Sequence, residues 1–166
     1  MKFVLTEANG MSGFLPPELR EFKDLQILKL EDGLIGGTIP SGLGELTRLE
    51  VIDLNFNAIA GTIPEPIYNL ATLRQLDLND NRIEGSISTQ IGRLSQLEFL
   101  SVNNNRMTGT IPATIGNLSR LGTFSLSFSD ETYMFCVHAY FESREIDDTH
   151  ICSSLFLFVS FRNCHL

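Results

Sequence analysis

Residues 49–72 read LEVIDLNFNAIAGTIPEPIYNLAT, and residues 97–120 read LEFLSVNNNRMTGTIPATIGNLSR. Laid over one another, the two stretches match at their leucines and isoleucines, at one Asn, and at a Gly followed three residues later by Pro. The same leading leucine recurs at Leu25, Leu49, Leu73, Leu97 and Leu121, spaced by 24 residues without a slip. A fixed period in this range marks a chain built from stacked units rather than from one closed core.

Working outward, the block from Leu25 supplies Leu28, Leu30, Ile35, Gly37, Ile39, Pro40, Leu43 and Leu46. The block from Leu73 supplies Leu76, Leu78, Asn81, Ile83, Gly85, Ile87, Ile91 and Leu94, with Ser88 in place of Pro. Counting back from Leu25 places a poorer copy at Met1, whose second half (Asn9, Met11, Gly13, Leu15, Pro16, Leu19) fits and whose first half does not. Counting forward, the strand half continues through Phe124 and Leu126, with Ser129 where Asn is expected.

The fourth and sixth residues of a block alternate inward, which is the pattern of a short half-buried strand. The Asn at position nine turns the chain off the strand. Its amide is expected to satisfy backbone groups of its own turn and of the next repeat. Asn9, Asn57, Asn81 and Asn105 form this ladder, and Gly33 leaves a rung missing, which predicts a looser turn there. The residue before Pro is driven to extended geometry, so the GxIP run is extended. Short helical turns at 41–46 (SGLGEL) and 113–118 (ATIGNL) follow it and close the core. No block buries its apolar face alone, so stability comes from stacking on neighbours.

The pattern LxxLxLxxNxIxGxIPxxIGxL resembles the plant-type leucine-rich repeat of receptor-like proteins and receptor-like kinase ectodomains, over about Asn9 to Leu126. The resemblance implies an α/β solenoid, a right-handed superhelix with a parallel concave sheet and about five 24-residue coils, beginning near residues 1, 25, 49, 73, 97 and 121. It implies a non-catalytic, protein- or peptide-binding role in signalling or defence, at the cell surface or outside the cell, without a cofactor. Met1 opens inside a repeat, with neither the leader nor the cysteine-paired cap usual in such ectodomains. A piece of a longer receptor kinase, a truncated product and a cytosolic scaffold are therefore alternatives.

Composition divides the chain into a repeat region (1–126) and a diverged tail (127–166), which reads either as a cap or as an aberrant segment. All three Cys (Cys136, Cys152, Cys164), all three His (His138, His150, His165) and six of the twelve Phe lie in the tail. The Cys and His residues fall in close pairs but lack the spacing by which two side chains grip one zinc ion, so no metal site is expected. Cys152 and Cys164 are one candidate disulfide pair if the chain is secreted. The apolar run at 151–161 (ICSSLFLFVSF) is too short to span a bilayer as a helix. A net charge of −8 argues against nucleic acid and acidic partners. Absence of a nucleophile elbow or a Ser-His-Asp set in the repeats argues against catalysis. Asn117-Leu118-Ser119 is an N-glycosylation sequon, which a solvated Asn at the end of a helical turn explains equally well.

The strand residues that do not point inward form columns across the coils. Ile27, Val51 and Phe99 fall in the column at position three; Lys29, Asp53 and Asp77 at position five; Asn103 at position seven; Phe56 and Asp80 at position eight. Arg74, at position two, completes the candidate binding face. Strands stack about 4.8 Å apart, so Asp53 and Asp77 repel each other unless a cation intervenes. With Ile27, Val51, Phe56 and Phe99 exposed beside them, the face is expected to suit an extended peptide carrying Lys or Arg.

Overall fold

The computed structural model describes residues 3–5, 12–129, 134–140 and 158–159. Asn9 lies outside the described residues, as do His150, Cys152, Cys164 and His165. The first coil holds β1 (Phe3–Leu5), β2 (Ser12–Phe14) and the 3-10 helix η1 (Pro17–Glu21). The second holds β3 (Leu25–Lys29), β4 (Leu34–Gly36) and η2 (Ser41–Glu45). The third holds β5 (Val51–Asp53), β6 (Ala60–Gly61) and η3 (Glu65–Asn69). The fourth holds β7 (Gln75–Asp77), β8 (Arg82–Gly85) and η4 (Thr89–Arg93), and the fifth β9 (Phe99–Ser101), β10 (Arg106–Met107) and η5 (Ala113–Asn117). β11 (Thr123–Ser129), β12 (Met134–Tyr140) and β13 (Phe158–Val159) complete the chain.

Strands β1, β3, β5, β7, β9 and β11 lie side by side in parallel, each offset from the last by one coil: Val51 pairs with Gln75, and Gln75 with Phe99. The leading leucines Leu25, Leu49, Leu73, Leu97 and Leu121 are all buried, as are Leu28, Ile52, Leu76 and Leu100 at position four. These ribs form one continuous interior with Ile59, Ile83, Met107 and the helical Leu43, Ile67, Ile91 and Ile115. Each buried Leu or Ile contributes about 1.5–3 kcal/mol of transfer free energy.

The extended run after each Asn forms short strands of its own. β2 pairs with β4, while β6, β8 and β10 form a second parallel ladder on the other side of the interior. Gly61, Gly85 and Gly109 in this run have φ of 75°, 84° and 88°, a region open to glycine and closed to most side chains. A Pro at the N-cap of η1, η2, η3 and η5, with φ from −72° to −65°, sets each helical entry. In η4, Ser88 occupies that position and its Oγ accepts a hydrogen bond from the Gln90 N–H at 3.2 Å.

Among the described residues Asn57, Asn81 and Asn105 form the ladder, and beyond their own turns they reach back rather than forward. Asn81 Oδ1 accepts from Ile59 N–H at 3.0 Å, and its Nδ2 donates to the carbonyl of Leu54 at 2.8 Å, both in the preceding coil. Asn57 binds Ile35 N–H and Leu30 O, and Asn105 binds Ile83 N–H and Leu78 O, in the same way. The reason is geometric: the amide sits under its own turn, where the free groups of the previous turn face it. Gly33 does lack a rung, yet its N–H still donates to Phe56 O at 3.1 Å, matching Asn57 to Asp80 at 3.1 Å. That turn keeps the inter-coil backbone bond and lacks the bonds that the Asn amides make within their own turns.

Strand β11 runs on through positions eight and nine, where the earlier coils turn. In earlier coils the N–H at position eight donates to a backbone carbonyl of the next coil, as Phe56 does to Asn79 at 3.0 Å. At the last junction Asn104 N–H finds the Ser127 hydroxyl instead, at 2.8 Å. β11 runs on to Ser129 and pairs antiparallel with β12, which pairs antiparallel with β13.

Candidate functional site

Side chains between the inward positions of the parallel strands line the concave face. At position five the column reads Lys29, Asp53, Asp77, Ser101 and Ser125, and it is far less open than expected: Asp53 is 4 % exposed and Asp77 9 %. The carboxylate of Asp53 is well partnered. Lys29 Nζ lies 3.6 Å from its Oδ2, Asn55 Nδ2 donates to its Oδ1 at 2.6 Å, and Gln75 Nε2 donates to Oδ2 at 3.3 Å. A cation for the column is thus internal, but it flanks Asp53 on the side away from Asp77 and does not separate the two acids. Asp77 accepts from the Asn79 N–H at 3.2 Å, and the Asn55 side chain bonds to it as well. Burial pushes its carboxyl up to about 6; the Asn79 bond opposes the rise and the Asp53 charge adds to it.

Further along, charge gives way to neutral groups. Ser101 Oγ donates to Asn79 Oδ1 at 3.0 Å, and Asn103 Nδ2 donates to Ser125 Oγ. Among the described residues Asn103 Oδ1 is buried without a hydrogen-bond partner. An orphaned buried acceptor is costly enough to call for a donor from elsewhere.

The apolar members fare unequally. Ile27, Val51 and Phe99 are half-buried rather than exposed, because each packs between the strands on either side of it. Phe56 alone of the four stands clear, at 54 %. Arg74 lies at the strand-start rim, where its guanidinium holds Glu98 Oε1 from Nε at 3.1 Å and from Nη2 at 2.7 Å. It borders a shallow depression with Glu50, Thr72, Gln96 and Arg120, so it belongs to a different rim from Phe56 and Asp80.

Sequence reasoning missed the backbone at position eight. Asp32, Phe56, Asp80 and Asn104 have φ of 55°, 51°, 51° and 50°, the left-handed region. The choice of Asp, Asp and Asn there was a readable signal, since these types tolerate that conformation best after glycine. It also missed the junction between η3 and η4. Tyr68 stands where the neighbouring helices carry Gly44 and Gly92, is fully buried, and its hydroxyl accepts from Ser88 N–H at 3.5 Å. A Pro at 88, as in the other coils, has no N–H to give. Burial pushes the Tyr68 phenol up to about 12.

Among the described residues no group of three metal-ligating side chains is present, and no helix is long and apolar enough to cross a membrane. Asn117 ends η5 on the exposed flank.

The family model described as a leucine-rich repeat region matches residues 4–138. The plant peptide hormone receptor RGFR1 in complex with RGF2 has a similar structure, with a TM-score of 0.71 at 32% identity over 72% of this chain and 19% of that one. PEPR1–AtPEP1 gives 0.71 at 33% identity, over 76% and 18%. The BIR3–SERK2 complex from Arabidopsis thaliana gives 0.63 at 36% identity, over 70% and 61%. The chain thus spans about a fifth of the length of the first two and under two thirds of the third. No curated protein matches it. The repeat period, the parallel concave sheet and these likenesses place the chain in the leucine-rich repeat family, in the form carried by plant receptor ectodomains.

Proposed function

We propose that the chain is a non-catalytic recognition module that takes an extended peptide across its concave sheet. The observation that carries this reading is the strip of hydrogen-bonding side chains at positions five and seven, ending at Asn103, whose buried acceptor has no partner among the described residues. An extended partner laid across the strands brings main-chain polar groups that must be matched when water is removed, and this strip supplies polar side chains on every coil it crosses. Ile27, Val51, Gln75 and Phe99 along position three offer half-open contacts for its side chains. The similar structures of the peptide hormone receptor RGFR1 with RGF2 and of HAESA with the peptide hormone IDA support a peptide as the partner.

The proposed location is the cell surface or outside the cell, after the ectodomains it is similar to. A glycan on Asn117 of the native protein supports that route, and an unmodified Asn117 with reduced cysteines supports a cytosolic scaffold instead. The binding test is selection of a random dodecapeptide display library on the purified chain, followed by affinities for Val51→Ala, Gln75→Ala and Phe99→Ala. Losses of about tenfold, the range of a buried interface contact, are expected for at least one of them. Equal affinities across all three, or no enriched peptide, would remove the reading.

A further inference from the structure

The outer rim at position eight carries a feature that the polar strip does not explain. Asp32, Phe56, Asp80 and Asn104 stack in register, tied by Phe56 N–H to Asn79 O at 3.0 Å, Gly33 N–H to Phe56 O at 3.1 Å and Asn57 N–H to Asp80 O at 3.1 Å. All four hold a left-handed backbone. Three are the short polar types that suit it, whereas the fourth is a bulky aromatic, for which the conformation is a true outlier. The ring is not repaid by burial, being more than half exposed at 54 %. Its interior neighbours Leu54 and Asn57 do the local work of the turn without it.

The surroundings say what this ring suits. Coils stand about 4.8 Å apart, so Phe56 has a carboxylate one coil away on each side. Side chains in this column span one coil, as Asn104 Nδ2 shows by donating to Asp80 Oδ1 at 2.8 Å on the side of Asp80 away from Phe56. Among the described residues neither Asp32 nor Asp80 is paired with a cation: Lys29 is engaged with Asp53, Arg48 with Asp24 and Arg74 with Glu98. An aliphatic group placed on the ring would strip water from two acids and return nothing to them. A guanidinium laid on the ring face meets the negative face of the π-system and brings donors to both carboxylates.

We propose that Phe56, flanked by Asp32 and Asp80, is the subsite for an arginine side chain of the bound peptide, with lysine a weaker occupant. This rests on the peptide-binding reading above and moves its basic contact from the enclosed Asp53–Asp77 pair to the open rim. The cation that the concave acids attract is already supplied by Lys29, while the rim acids still lack one.

The test uses peptides enriched from the dodecapeptide library and two variants. Phe56→Asn keeps the left-handed backbone and removes the ring; Phe56→Leu keeps the apolar bulk and removes the π-face. A selected peptide carrying Arg is compared with the same peptide carrying citrulline, its neutral isostere. The wild-type chain is expected to favour Arg about fivefold, a typical cation–π and ion-pair increment. That preference is expected to vanish in Phe56→Asn and to shrink in Phe56→Leu, with Phe56→Asn unfolding at a higher temperature than wild type. Enrichment of peptides without a basic residue, or an unchanged Arg preference in Phe56→Asn, overturns the subsite while leaving peptide binding intact. Failure to enrich any peptide removes the broader reading first.

Discussion

Asn57 and Phe56 are adjacent in sequence and sit on opposite sides of the same turn, and the two columns they belong to are ruled by different demands. The inner column (Asn57, Asn81, Asn105) uses one residue type because one geometry must be met: an acceptor for a buried N–H and donors for the carbonyls around it. The outer column (Asp32, Phe56, Asp80, Asn104) must satisfy only a backbone angle, so its side chains are left to meet something else. Uniformity down a column of a solenoid reports the fold. Departure from it, where the fold has a cheaper choice, reports use.

The sharpest way to break this contrast is on the inner side. Asn81→Ala leaves the Ile59 N–H and the Leu54 carbonyl without their side-chain partner inside the turn, and a loss of about 3 kcal/mol is expected in chemical denaturation. A loss under 1 kcal/mol would mean that water replaces the amide and that the column is not a fold requirement. On the helical flank, Gly44→Ala drives a methyl to 2.4 Å from the Pro66 backbone, whereas Gly116→Ala meets nothing within 4 Å. The first should cost about 1–3 kcal/mol and the second nearly nothing, read as a difference in thermal midpoint.

Asp77 gives a contrast within the concave strip. Its carboxyl, raised to about 6 from an ordinary value of 3.8, binds a proton more readily folded than unfolded. Stability from this group is therefore present in full below pH ~4 and is lost as pH rises through ~6. Asp77→Asn should flatten that slope and stabilise the chain at neutral pH by about 1–2 kcal/mol, followed by denaturation at several pH values. An unchanged slope would place the titration elsewhere. The smallest effect is on the outer rim, where Phe56→Asn should gain about 1 kcal/mol by relieving the left-handed aromatic, the reverse of what removing a packed ring does.

Much of the architecture was legible because a repeat states its own constraint several times. Leu49, Ile52, Leu54 and Asn57 would be ambiguous once, but their return at 73, 76, 78 and 81 leaves only a stacked strand and turn. The direction of the Asn bonds was not legible, since spacing cannot say on which side of the amide the free backbone groups lie. The candidate face was read more coarsely. Column membership followed from alternation, yet the enclosure of Asp53 depends on Lys29 and Gln75 reaching over from the adjacent strands and on Asn55 of its own coil. Arg74 fell in the wrong neighbourhood because position two lies at the start of the strand, where Glu98 of the next coil claims it.

The pairing of Tyr68 with Ser88 has a consequence for how such a gene can change. Arrays of near-identical modules gain and lose members by unequal exchange, which treats every module as a spare. Excising residues 73–96 would splice cleanly by length but set the Tyr68 phenol against Pro112, leaving a buried hydroxyl facing a residue with no hydrogen to offer. Loss of the second module alone is therefore expected to cost stability at that seam, which the loss of a module elsewhere in the array would not.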